Sequence, residues 1–169
     1  MPVFNAYCIF VAFGAYFCMY AFRKPFSVAT FEGQVDLPFI PPMDYKIVLI
    51  LAQVFGYTLS KFIGIKVISE MPGHRRAWGI LLMIGIAELA LLGFGMVSAP
   101  WSLLFLFLNG LPLGMVWGLV FGFPEGRRST ELLGAGLSAS YIVSSGMVKT
   151  VGRWCLAEGI SEAWMPFVT

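Results

Sequence analysis

The stretch Tyr16–Thr30 reads YFCMYAFRKPFSVAT and sets an arginine beside a lysine at the end of a long apolar run. A cation inside a membrane helix marks a functional position by default, whereas a cation just past its end is an ordinary headgroup anchor. Helical phase separates the two cases. Tyr16, Tyr20 and Arg23 stand at i, i+4 and i+7 and so share one helix face. That phase predicts a first helix running past the charges, at least to Pro25 and on to about residue 31, with the proline as a kink. Arg23 then belongs to an interior. Lys24, about 100° around the helix, is left as the headgroup anchor.

Composition supports a membrane setting. The 169 residues are 59% hydrophobic and 12% charged, against about 25% charged in soluble proteins, and the mean hydropathy is +0.83. A bilayer core of about 30 Å needs about 20 apolar residues per helix. Runs of that kind lie near 5–22, 45–64, 77–97, 101–123 and 132–151. The first run lacks a basic n-region and a small-residue cleavage site, so it is expected to be a retained span. The C-terminal AEGISEAWMPFVT looks like the approach to a sixth, which suggests a truncated chain. A net charge of +2 gives no reason to expect nucleic acid. Cys8, Cys18 and Cys155 lack metal-ligand spacing and read as packing residues. His74 beside Arg75 and Arg76 reads as a solvated loop histidine. No metal and no cofactor is expected.

The turns ISEMPGHRRAW and PEGRRST each carry an arginine pair and fall on the same side of the membrane. The positive-inside rule makes that side cytoplasmic, with the N-terminus there too, in the inner membrane of the cell. Three spans carry polar faces at helical spacing. The first has Tyr16, Tyr20 and Arg23; the second Gln53, Gly56, Tyr57, Ser60, Lys61 and Gly64; the fifth Gly134, Ser138, Tyr141, Ser145 and Lys149. Groups that cost free energy in lipid must face protein or water, so these faces are expected to meet around a shared polar interior. Headgroup snorkelling is the competing reading for Lys24, Lys61 and Lys149. The fourth span repeats glycine every four residues, Gly110 to Gly122, as closely packed membrane helices do. Glu88 in the third span needs a buried partner or a proton and, with Lys149, is a candidate coupling or buried-pair residue.

Enzyme templates are lacking: there is no GxSxG, no HExxH, no P-loop and no Cys/His cluster. An enzyme is not expected. Cations, tyrosines and amides in a membrane cavity suit the binding of an anion, because arginine grips phosphate or carboxylate with two parallel hydrogen bonds and lysine adds a mobile charge.

YxxxYxxR in the first helix, at Tyr16, Tyr20 and Arg23, together with GYTLSKF from Gly56 to Phe62, resembles the N-terminal half of the major facilitator superfamily, in its organophosphate:phosphate antiporter branch. The resemblance implies an all-α transmembrane bundle of about five to six helices, the first part of a two-halved fold. It implies Arg23 and Lys61 as anion ligands, with Tyr16 and Tyr20 beside them and Tyr141 where that branch has a titratable histidine. With Gln53 and Tyr57 these form the expected substrate site for a small anionic solute moved by alternating access. The partners implied are the bilayer and the missing C-terminal half of the same protein. SEMPGHRR, Ser69–Arg76, resembles the superfamily's cytoplasmic loop, with Glu70, Gly73, Arg75 and Arg76 as a latch. Along nearly its whole length the chain is also similar to an uncharacterised bacterial membrane-protein family, through RKPFS, GYTLSKFIGIK, NGLPLGMVWGLVF and LLGAGLSASYIVSSG. The alternative function is a transporter-like sensor or accessory subunit that binds ligand without transport.

Overall fold

The computed structural model describes residues 2–37, 40–121 and 130–169. Helix α1 spans Pro2–Ala21, α2 Tyr45–Ser69, α3 Gly73–Met96, α4 Ser102–Phe121 and α5 Thr130–Ala157, with a last short turn, α6, at Met165–Val168. Between α1 and α2 lie a 3-10 turn, Pro25–Val28, and two short antiparallel strands, β1 Gln34–Leu37 and β2 Ile40–Asp44. Gln34 pairs with Asp44, Val35 with Met43 and Leu37 with Ile40, with an irregularity between Val35 and Leu37. This small hairpin adds to the all-helical expectation. Pro41 and Pro42 cannot donate to a ladder but are tolerated in a two-stranded ribbon, where every strand is an edge.

Among the described residues, three helices are long and apolar enough to cross a membrane: Tyr45–Ser69, Gly73–Met96 and Ser102–Val120. The protein is therefore a mostly helical membrane protein. Large apolar side chains such as Phe55, Phe62, Ile65 and Leu89 stand exposed on the outer faces of α2 and α3, where lipid takes the place of a packed partner. Five spans were expected. The described apolar part of α1, Ile9–Ala21, is shorter, and α5 is diluted by Ser138, Ser140, Ser144, Ser145, Lys149 and Arg153.

Helix α4 packs on both α2 and α3, while α1 packs on α5. The α2–α4 seam is close because glycines line both sides of it. A Cβ at Gly110 would run into the Gln53 carbonyl, and one at Gly56 into the Phe107 carbonyl. Gly122, the last of the predicted series, lies outside the described residues.

The hairpin end of the bundle is tied together. Tyr45 and Ser102, at the starts of α2 and α4, share a 2.6 Å hydrogen bond between their hydroxyls. The Glu162 carboxylate, beyond α5, accepts from the Thr30 N–H, the Thr30 hydroxyl and the Phe31 N–H at 2.8, 2.6 and 2.8 Å. Phe31 takes a positive φ of 46°, unusual for a side chain of its size. Its ring is buried against Tyr45 and Phe94.

The predicted continuation of α1 to about residue 31 does not occur. The helix stops at Ala21, and the N–H groups of Arg23 and Lys24 both bond the Tyr20 carbonyl, at 3.1 and 3.0 Å. Pro25 is the cause: it has no N–H for the Ala21 carbonyl, and its ring crowds that carbonyl.

Candidate functional site

The early end of α1 creates the site. Gln53 lies eight residues into α2 and Asn109 seven into α4, hence about 12 and 10 Å along their axes from the hairpin end at 1.5 Å per residue. Both reach the broken helix end. The Gln53 amide donates to the Arg23 carbonyl at 3.3 Å and to Asn109 Oδ1 at 2.9 Å. The Asn109 amide donates to the Phe22 carbonyl at 3.3 Å and to the Ala87 carbonyl at 3.1 Å. A helix that ends at membrane depth leaves carbonyls without partners, and no water is there to satisfy them. These two buried amides supply the missing donors. Gln53, expected among the substrate ligands, is 5% exposed, and its amide nitrogen holds the scaffold of the site through these two hydrogen bonds.

From this fixed break the Arg23 side chain extends to Tyr57, the central residue of α2. Its guanidinium carbon sits 4.1 Å from the Tyr57 ring centroid. Lys61, one turn further on, places its ammonium 4.8 Å from the same centroid and 5.2 Å from the Trp117 ring of α4. The polar stripe of the second span thus divides by neighbour. Gln53, Gly56, Ser60 and Gly64 are buried, while Tyr57 and Lys61 emerge beside them.

Tyrosines complete the surface. Tyr16 and Tyr20 are buried, with ring centroids 5.5 Å apart. Tyr141 of α5 lies 6.3 Å from each of them, nearly parallel to Tyr20 and edge-on to Tyr16. Tyr16 is also an electrostatic neighbour of Tyr57. Arg23, Lys61, Tyr16, Tyr20, Tyr57 and Tyr141 are therefore brought together as the helical phases predicted. Trp117 was missed. It sits in a run read for its glycines, and nothing in that spacing says that an indole at this position meets Lys61.

Other expected residues go elsewhere. Glu88 lines a cavity of about 250 Å³ formed with Ala21, Phe22 and Pro166–Thr169, and among the described residues it makes no ion pair with Lys149. Lys149 instead neighbours Lys24. Glu70 caps α2, Gly73 opens α3, and the Arg75 N–H bonds the Pro72 carbonyl at 2.9 Å. This makes the α2–α3 connection a tight turn, with Arg75 exposed and Arg76 half-buried beside it.

Fold and site together define a helical membrane protein with a basic, aromatic-lined face where α1, α2 and α5 come together, half-buried at Arg23 and Tyr57 and exposed at Lys61 and Tyr141. The chain belongs to DUF5690, a family of unknown function, whose profile matches residues 25–169. No curated protein and no solved structure matches it.

Proposed function

We propose that this chain is part of a secondary transporter of the major facilitator type. It binds a small anionic or organophosphate-like solute at Arg23 and Lys61 and moves it by alternating access, in the cytoplasmic membrane with the N-terminus inside. The observation that supports this reading is the arrangement on Tyr57. Two cations share one ring at the middle of the apolar helix α2, Arg23 half-buried and Lys61 exposed, and among the described residues neither is ion-paired with a carboxylate.

Unpaired charge at that depth is costly, and an aromatic face offsets about 0.5–2 kcal/mol of it. An anion offsets more. Arginine presents a two-bond fork to phosphate or carboxylate, and lysine follows as a point charge. Because Gln53 fixes the Arg23 main chain, only the side chains need adjust when ligand enters.

The test is uptake by the full-length protein in liposomes, with phosphate, sugar phosphates and carboxylates as candidates. Arg23→Gln or Lys61→Gln abolishes uptake of the transported anion while the protein still folds. Unchanged uptake of every anion overturns the assignment. Ligand binding in detergent without flux or exchange supports the sensor reading instead.

A further inference from the structure

A second group of cations meets the same break in α1. Gly152 of α5 packs against Pro25, so closely that a Cβ there would lie 3.6 Å from the Pro25 Cα. Lys149 is one turn from Gly152 on the same helix face, and Lys24 directly precedes Pro25. The Gly152–Pro25 contact thereby brings the two lysines into the same neighbourhood, both half-buried. Lys24 feels the charges of both Arg23 and Lys149.

Depth argues against a simple anchoring role. Lys149 is eight residues from the end of α5, about 12 Å along the axis, level with the Gln53 and Asn109 caps. The predicted stripe of α5 runs from Tyr141 through Ser145 to Lys149, which connects this group to the tyrosines beside Tyr57. Among the described residues none of Arg23, Lys24, Lys61 and Lys149 is ion-paired with a carboxylate. Like charges gathered in a half-buried place repel each other, and a counter-anion relieves that cost.

We propose that Lys24 and Lys149, with Arg23 between the two groups, form a second anion subsite, so that the solute carries two separated phosphate- or carboxylate-type groups. This rests on the anion-transporter reading. It adds that one anionic group settles over Tyr57 between Arg23 and Lys61 and the other between Lys24 and Lys149. A phospholipid headgroup has the same chemistry as one such group, so the test must separate the two sources.

Full-length protein in phosphatidylcholine nanodiscs is titrated calorimetrically with methylphosphonate and with propylene bisphosphonate. The wild type is expected to bind the bisphosphonate at least about tenfold more tightly, as one additional charge-assisted contact provides. Lys24→Gln and Lys149→Gln remove that advantage and leave methylphosphonate affinity unchanged, and Lys149→Arg restores it. Equal affinity of the wild type for both compounds overturns this inference and leaves the anion reading standing. Failure of both compounds to bind overturns the two together. The titration is repeated in discs containing phosphatidylglycerol, with native mass spectrometry. Loss of the bisphosphonate advantage there, with one phosphatidylglycerol retained by the wild type and released by Lys149→Gln, assigns the subsite to lipid and overturns the solute proposal.

Discussion

The Gln53 side chain holds the main-chain carbonyl of Arg23 at 3.3 Å, so α2 fixes the point from which the arginine of α1 departs. The Arg23 guanidinium then returns to α2, at Tyr57. Position and charge are handled by different groups, and variants can separate them.

Replacing the amides tests the cap. Asn109→Leu removes the donor to two carbonyls and the acceptor for Gln53. Each buried group left unsatisfied costs about 1–3 kcal/mol. Thermal unfolding in detergent is expected to show Asn109→Leu as the more damaging change and Gln53→Leu as the milder one. Equal stability of both variants and the wild type removes the capping account.

Tyr57 separates ring from hydroxyl. Tyr57→Phe keeps the face beneath both cations and is expected to retain anion binding within a few-fold. Tyr57→Leu loses two cation–ring contacts of about 0.5–2 kcal/mol each. Arg23 and Lys61 then lose their shared position, and on the proposed anion-binding reading affinity for the anion falls about tenfold or more. Calorimetry on the purified protein checks the order.

The α2–α4 seam is sensitive to a single methyl group. Gly110→Ala drives a carbon into the Gln53 carbonyl, and backbone cannot rotate away as a side-chain tip does. Overpacking of this kind costs about 1–3 kcal/mol, and here it also displaces the residue that caps α1. Gly85→Ala, inside α3 with nothing near its added carbon, is the control and should leave melting unchanged or slightly raised.

Glu162 gives a dependence on pH. Burial pushes its carboxyl up, but the hydrogen bonds from Thr30 and Phe31 and the charge of Lys46 outweigh this and hold it below its ordinary value of 4.5. A folded-state value below the unfolded one means stability that is present above the unfolded value and is lost as pH falls through the folded one. The wild type should therefore melt above Glu162→Gln at neutral pH, and the two curves should converge in acid, as pH falls below the ordinary carboxyl value and through the lower one of the folded state. A constant gap across that range refutes the clamp.

Helical phase made much of the site legible. Tyr16, Tyr20 and Arg23, Tyr57 and Lys61, and Tyr141 each sit on the predicted face, because a 3.6-residue repeat survives whatever the helices pack against. What phase could not show is where a helix stops. Pro25 reads equally as a kink or a stop, and the polar stripe that puts Gln53 in the expected site carries no mark of the carbonyl its amide meets. Trp117 and the Lys24–Lys149 neighbourhood depend on contacts between distant segments, to which periodicity within one segment is blind. The Val35 and Met43 pairing was hidden for the opposite reason: the hairpin is too short and too rich in proline to show a period at all.

The truncated end of α1 has one more effect. A helix C-terminus carries a partial negative charge of about half an electron, and here it sits beside Arg23 and Lys24 where a salt-bridge partner would ordinarily be a carboxylate. A carboxylate can take up a proton, and it can compete with an incoming anion at full charge. A helix end does neither. On the proposed anion-binding reading, the basic face is thus steadied by a counter-charge that acid cannot switch off and that is too weak to occupy the place of a ligand.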